Sequence, residues 1–186
     1  MRKPNNYENT SAGESKRLPA GGYICSIVSA EETKSRAGRP MLKVELEIAE
    51  GDYKGWFNEV WTAKKLAAFP NEAKYPNEGT AYVLAEDSAG NCSRNFKQFC
   101  TALEDSGNIV WDGGELADLT GSVVGVIFRR EENEYNGKRY WQTKPLSFRS
   151  IETIHSGKFT VPEDKPMAEA EPQYKGFKAV NEDCPF

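Results

Sequence analysis

SVVGVIFRREENEYNGKRYWQTKPLSFR, residues 122–149, decides how this chain reads. Its first seven residues, Ser122 to Phe128, are a strongly apolar strand candidate. Asn136-Gly137 is the clearest hairpin signal in the chain. A type I′ turn needs positive φ at both central residues, and Asn-Gly supplies it. A two-residue turn there sets Tyr135 opposite Lys138, Glu134 opposite Arg139 and Glu132 opposite Trp141. Glu134 and Arg139 then form a cross-strand charge match. The return strand runs from Lys138 to about Arg149.

Working outward, Tyr23 to Ala30 is a mostly apolar run and a second strand candidate. Met41 to Glu50 alternates: Leu42, Val44, Leu46 and Ile48 fall on one face, Lys43, Glu45 and Glu47 on the other. That is the period of a half-buried antiparallel strand. EGDYKG (Glu50–Gly55) turns the chain, and WFNEVW (Trp56–Trp61) reads as the next strand, since aromatics and Val favour a pleated surface. Trp56 and Phe57 would then point to opposite faces, one of them into the core. Thr62 to Gly79 carries Pro70 and Pro76 and is not one long helix, although Ala63 to Phe69 fits a short helical turn. Tyr82 to Ala85 is apolar but short.

Asn91 to Ser106 is the best helix. Phe96, Phe99, Cys100 and Leu103 recur at i, i+3, i+4 and i+7, the stripe of a packing face. Asn91 or Ser93 can cap its start and Gly107 can end it. Strands thus precede and follow one clear helix without βαβ alternation. The expected fold is mainly β with an inserted helix, an OB-fold-like five-stranded antiparallel barrel with a disordered C-terminal tail. The expected organisation is a flexible arm at 1–17, the barrel domain at 18–161 and an acidic tail at 162–186.

The chain has 186 residues, a net charge of -4 and a pI of about 5.3. No run approaches the roughly 18 apolar residues of a membrane span. No apolar stretch follows the basic start, so a secretory signal is not expected and a cytoplasmic protein is the default. Cys25, Cys92, Cys100 and Cys184 contain no C-x-x-C pair. They read as buried thiols at the first three positions and a free exposed thiol at Cys184. The single histidine, His155, cannot build a two-histidine metal site and reads as a surface residue. There is no G-x-S-x-G, no G-x-x-x-x-G-K-[ST] and no G-x-G-x-x-G. Enzyme chemistry finds no foothold, and no cofactor is expected.

The charges are unevenly placed. Residues 122–149 hold six basic and three acidic residues, a net +3. Tyr135, Tyr140, Trp141 and Phe148 are interleaved with them. A cationic track with aromatic faces is how proteins hold single-stranded nucleic acid. Tyr53, Lys54, Trp56, Trp61, Lys64 and Lys65 form a second such cluster. Residues 162–186 carry six acids against three bases, a net -3, with Pro162, Pro166 and Pro172. Most of the acidity therefore belongs to the tail.

The terminus Glu182-Asp183-Cys184-Pro185-Phe186 resembles the acidic Pro-Phe tip of bacterial single-stranded DNA-binding proteins, with Cys184 where an aliphatic residue is usual. LPAGGY (Leu18–Tyr23), LKVELEIAEGDYKGWF (Leu42–Phe57), the Phe96-centred helix and SIETIHSGKFTVPE (Ser150–Glu163) resemble single-stranded DNA-binding proteins encoded by phages and prophages of Gram-positive bacteria. The resemblance implies an OB-fold, no catalytic residues, and binding of single-stranded DNA with little sequence dependence. Phosphates are then expected along Lys43, Lys54, Arg129, Lys138, Arg139 and Lys144, and bases on some of Trp56, Trp61, Tyr140 and Trp141. The tip, through Phe186, is expected to recruit replication, recombination or repair proteins. A homo-oligomer is left open. The competing reading is a small β-barrel that binds protein and not DNA, such as a phage accessory or structural protein.

Overall fold

A computed structural model describes residues 2, 17–67, 74–108 and 118–167. Five strands form one antiparallel sheet: β1 (Gly21–Lys34), β2 (Pro40–Ile48), β3 (Thr80–Leu84), β4 (Val123–Tyr135) and β5 (Lys138–Arg149). Their order is β3-β2-β1-β4-β5. The two edges, β3 and β5, approach within 8 Å Cα to Cα without a hydrogen-bonded ladder among the described residues. The sheet is therefore a curled, partly open version of the expected five-stranded barrel.

The local reasons are those visible in sequence. In β2, Leu42, Val44, Leu46 and Ile48 are all buried, and the residues between them are half-buried. They pack with Cys25 and Ile27 of β1 and with Val124, Val126 and Phe128 of β4. Asn136 and Gly137 have φ of 50° and 73°, as a type I′ turn requires. The turn fixes the expected register: Tyr135 opposite Lys138, Glu134 opposite Arg139, Glu132 opposite Trp141.

Helix α2 (Arg94–Asp105) joins β3 to β4. Ser93 caps it, accepting the Phe96 amide at 3.1 Å, and Gly107 follows its end with φ 82°. Phe99, Cys100 and Leu103 are buried, and Phe96 packs half-buried against the same core. Each fully buried Phe of this size contributes about 1.5–3 kcal/mol. The short helix α3 (Ile151–His155) follows β5 and lies over β1 and β4.

Three expectations change. WFNEVW is not a strand: Trp56–Ala67 is helix α1, and the helical turn read at Ala63–Phe69 is its continuation as far as Ala67. The cause is non-local. Glu47 of β2 accepts the Phe57 amide at 3.0 Å and the Asn58 amide at 2.6 Å, so a distant carboxylate satisfies the donors of the first turn. Cys92 is exposed, because it lies in the turn before α2 and outside the packing stripe; Cys25 and Cys100 are buried as expected. Finally, residues 164–167, within the stretch read as the tail, lie along β4, with Lys165 bridging Glu131. Residues 168–186, including the tip at Glu182, Asp183, Cys184, Pro185 and Phe186, lie outside the described residues.

Candidate nucleic-acid interface

A groove of about 670 Å³ opens between the lead-in 17–20, α1 and the first half of β5. Three of the expected stacking residues, Trp56, Tyr140 and Trp141, line it. Arg17, Lys64 and Arg130 bring cations to its walls, against the carboxylates of Glu78 and Asp164.

Helix periodicity builds one wall. Trp56, Val60 and Lys64 stand at i, i+4 and i+8 and line the groove as one stripe. Phe57, one position on, is fully buried against Phe128, with ring centroids 6.0 Å apart. Trp56 is braced from behind by Tyr53 at 5.7 Å, edge to face, and Tyr53 in turn by Tyr23 at 6.0 Å. The groove tryptophan thus stands on a chain of aromatic rings that reaches the core.

Strand register builds the other wall. Cross-strand partners share a face, and Arg130 faces Thr143, Glu132 faces Trp141 and Glu134 faces Arg139. These six side chains occupy one side of the hairpin. Arg129 and Lys144, Asn133 and Tyr140, Tyr135 and Lys138 occupy the other, so Tyr140 borders the groove from the strand but shares no face with Trp141. The buried Thr143 hydroxyl donates to the Leu18 carbonyl at 2.6 Å and fastens the lead-in across β5. The Arg130 guanidinium carbon lies 5.0 Å from the centre of the Trp141 ring, a cation–π contact.

The expected phosphate contacts are therefore not one track. Arg139 shares the Trp141 face but stands 4.0 Å from both Glu132 and Glu134. Arg129 is ion-paired with Glu131 on the opposite face, and its hydrogen bond holds that carboxyl below its ordinary range. Lys144 lies opposite Arg129, and Lys138 flanks the turn. Lys43 sits outside the groove, 2.6 Å from Glu45 and 3.8 Å from Glu31, and the Glu45 hydrogen bond raises its pKa. Lys54 is exposed in the turn before α1. Trp61 packs edge-on against Tyr75 at 5.5 Å, with Lys65 Nζ 3.3 Å from its ring centre.

Arg17, Lys64 and Arg130 were not among the expected phosphate contacts, although Lys64 belonged to the second cationic and aromatic cluster. The spacing of Trp56, Val60 and Lys64 carried the signal for one of them once the segment is read as a helix. Arg130 is marked by its place opposite Thr143, two residues from Trp141 along β5.

A family model described as "Protein of unknown function (DUF669)" matches residues 5–147. The chain belongs to this family. In this DUF669 protein the match takes in both walls of the groove, from the lead-in through α1 to Thr143 of β5. No curated protein matches the chain. Among the described residues of the DUF669 chain, no three His, Cys, Asp or Glu side chains gather as metal ligands. No helix among them is long and apolar enough to cross a membrane.

Proposed function

We propose that this DUF669 protein is a non-enzymatic binder of single-stranded DNA, acting with little sequence preference in phage or prophage DNA replication, recombination or repair. The observation that carries this reading is the groove that gathers Trp56 and Trp141 beside Arg17, Lys64 and Arg130. Aromatic faces take bases whatever their identity, because every base has a π-face, while guanidinium and ammonium groups take the backbone. A duplex hides its base faces in the stack and offers nothing to the two tryptophans.

The acidic Glu182–Phe186 tip adds a second part to the proposal: recruitment of replication, recombination or repair proteins outside the groove. The groove reading is tested by mobility shift of labelled oligo-dT and of duplex of equal length. A shift with oligo-dT at concentrations where duplex gives none is expected. Equal shifts, or none, overturn it.

A further inference from the structure

Arg130 of the groove already holds an anion, and that anion comes from the segment leading into the tail. β1 begins at Gly21, opposite Phe128, so Arg129 to Tyr135 run beyond it with one edge of β4 uncovered. Residues 164–167 occupy that edge. The Lys165 amide donates to the Arg130 carbonyl, and the Glu132 amide donates to the Lys165 carbonyl, both at 2.9 Å. The Met167 amide donates to Glu132 Oε2 at 3.0 Å. Asp164 Oδ2 lies 3.2 Å from Arg130 Nη1, the same guanidinium that stands over Trp141.

This attachment is built to come off. Lys165 makes a single bridge, because the next in-register donor, the Met167 amide, goes to the Glu132 side chain and not to a β4 carbonyl. Asp164 to Met167 are all exposed, and the Asp164–Arg130 pair is about two-fifths exposed on each side. Water therefore screens the pair and keeps its strength small.

We propose that residues 164–167 form a releasable strap. Asp164 holds Arg130 in the place of a phosphate, and a single strand entering the groove takes Arg130 and frees the strap from β4. The proposal rests on the single-strand reading of the groove. A phosphate offers the guanidinium the same charge-assisted oxygens as the carboxylate. It brings with it a base for Trp141, which the strap does not. By linkage the strap weakens the strand's binding by the factor by which the strand weakens the strap's. Groove occupancy is thereby converted into freedom of the segment that carries the tail.

The test uses the full chain, as wild type, D164N and E163Q, with oligo-dT as probe. E163Q removes an equal charge from the exposed residue beside Asp164, which itself holds Arg130. D164N is expected to bind oligo-dT about two- to five-fold more tightly than both wild type and E163Q, the range set by an exposed ion pair. In wild type, amide hydrogen exchange at Glu132 and Lys165 is expected to speed up on saturation with oligo-dT. D164N affinity equal to that of wild type or of E163Q, or exchange at those amides unchanged or slowed, overturns the strap. Binding to none of the three proteins is a separate result: it overturns the single-strand reading and the strap's release together.

Discussion

Glu47 Oε1 accepts the Phe57 amide at 3.0 Å, ten residues along the chain, while Oε2 takes the Asn58 amide. One strand carboxylate thus starts the helix that carries Trp56, Val60 and Lys64 into the groove. Glu47→Ala is expected to destabilise the fold by about 0.5–2 kcal/mol, the range for losing a helix N-cap. Urea denaturation checks it: the midpoint falls with the slope unchanged. An unchanged midpoint would mean that α1 stands without the cap.

The two groove tryptophans and Trp61 should behave differently. Trp56→Ala and Trp141→Ala are each expected to cost about 1–3 kcal/mol in oligo-dT affinity, roughly 5- to 150-fold. Trp61→Phe keeps a ring against Tyr75 outside the groove and is expected to change affinity by less than about two-fold, short of any stacking loss. Equal losses at Trp56 and Trp61 would remove the distinction. Titrations monitored by anisotropy of a labelled oligonucleotide make the comparison without relying on the mutated fluorophores.

Charge contacts are read from salt dependence. Each cation that neutralises a phosphate of a single strand adds about 0.7 to the slope of log affinity against log salt. Lys64→Ala and Arg130→Ala are each expected to lower the slope by about that amount. Lys43→Ala is expected to leave it unchanged, since Glu45 and Glu31 already hold the Lys43 ammonium outside the groove. A slope lowered by Lys43→Ala and untouched by Arg130→Ala would move the phosphate track to the β2–β3 surface.

Gly125 tests how the back of the sheet is covered. A Cβ there would lie 2.5 Å from Ile154 Cγ1 and 2.8 Å from the carbonyl oxygens of Arg149 and Ser150. Two of these three atoms are backbone and cannot swing aside. Gly125→Ala is expected to destabilise the protein by about 1–3 kcal/mol, as overpacking does. Urea denaturation of the variant against wild type measures this.

The elements legible in the sequence were those whose causes are local. Leu42, Val44, Leu46 and Ile48 alternate within one strand, Asn136-Gly137 carries its own turn chemistry, and Ser93 caps α2 from three residues before Phe96. α1 was not legible as a helix, because its cap lies in β2 and its aromatic run has strand propensity. The groove was half legible. Trp56, Tyr140 and Trp141 were expected, but alternation alone does not say which face of a hairpin is which. That choice is made by Leu18, tied to Thr143 from 125 residues away. Likewise, nothing local announces that Lys165 pairs with β4, because the open edge exists only once β1 has ended.

The most direct measurement is a titration of the intrinsic tryptophan fluorescence with oligo-dT and with duplex DNA, at low and at high salt. The expected result is saturable quenching by oligo-dT as bases cover Trp56 and Trp141, weakening as salt rises, with duplex far less effective. No quenching by oligo-dT, or quenching that duplex matches, would contradict a groove built for single strands.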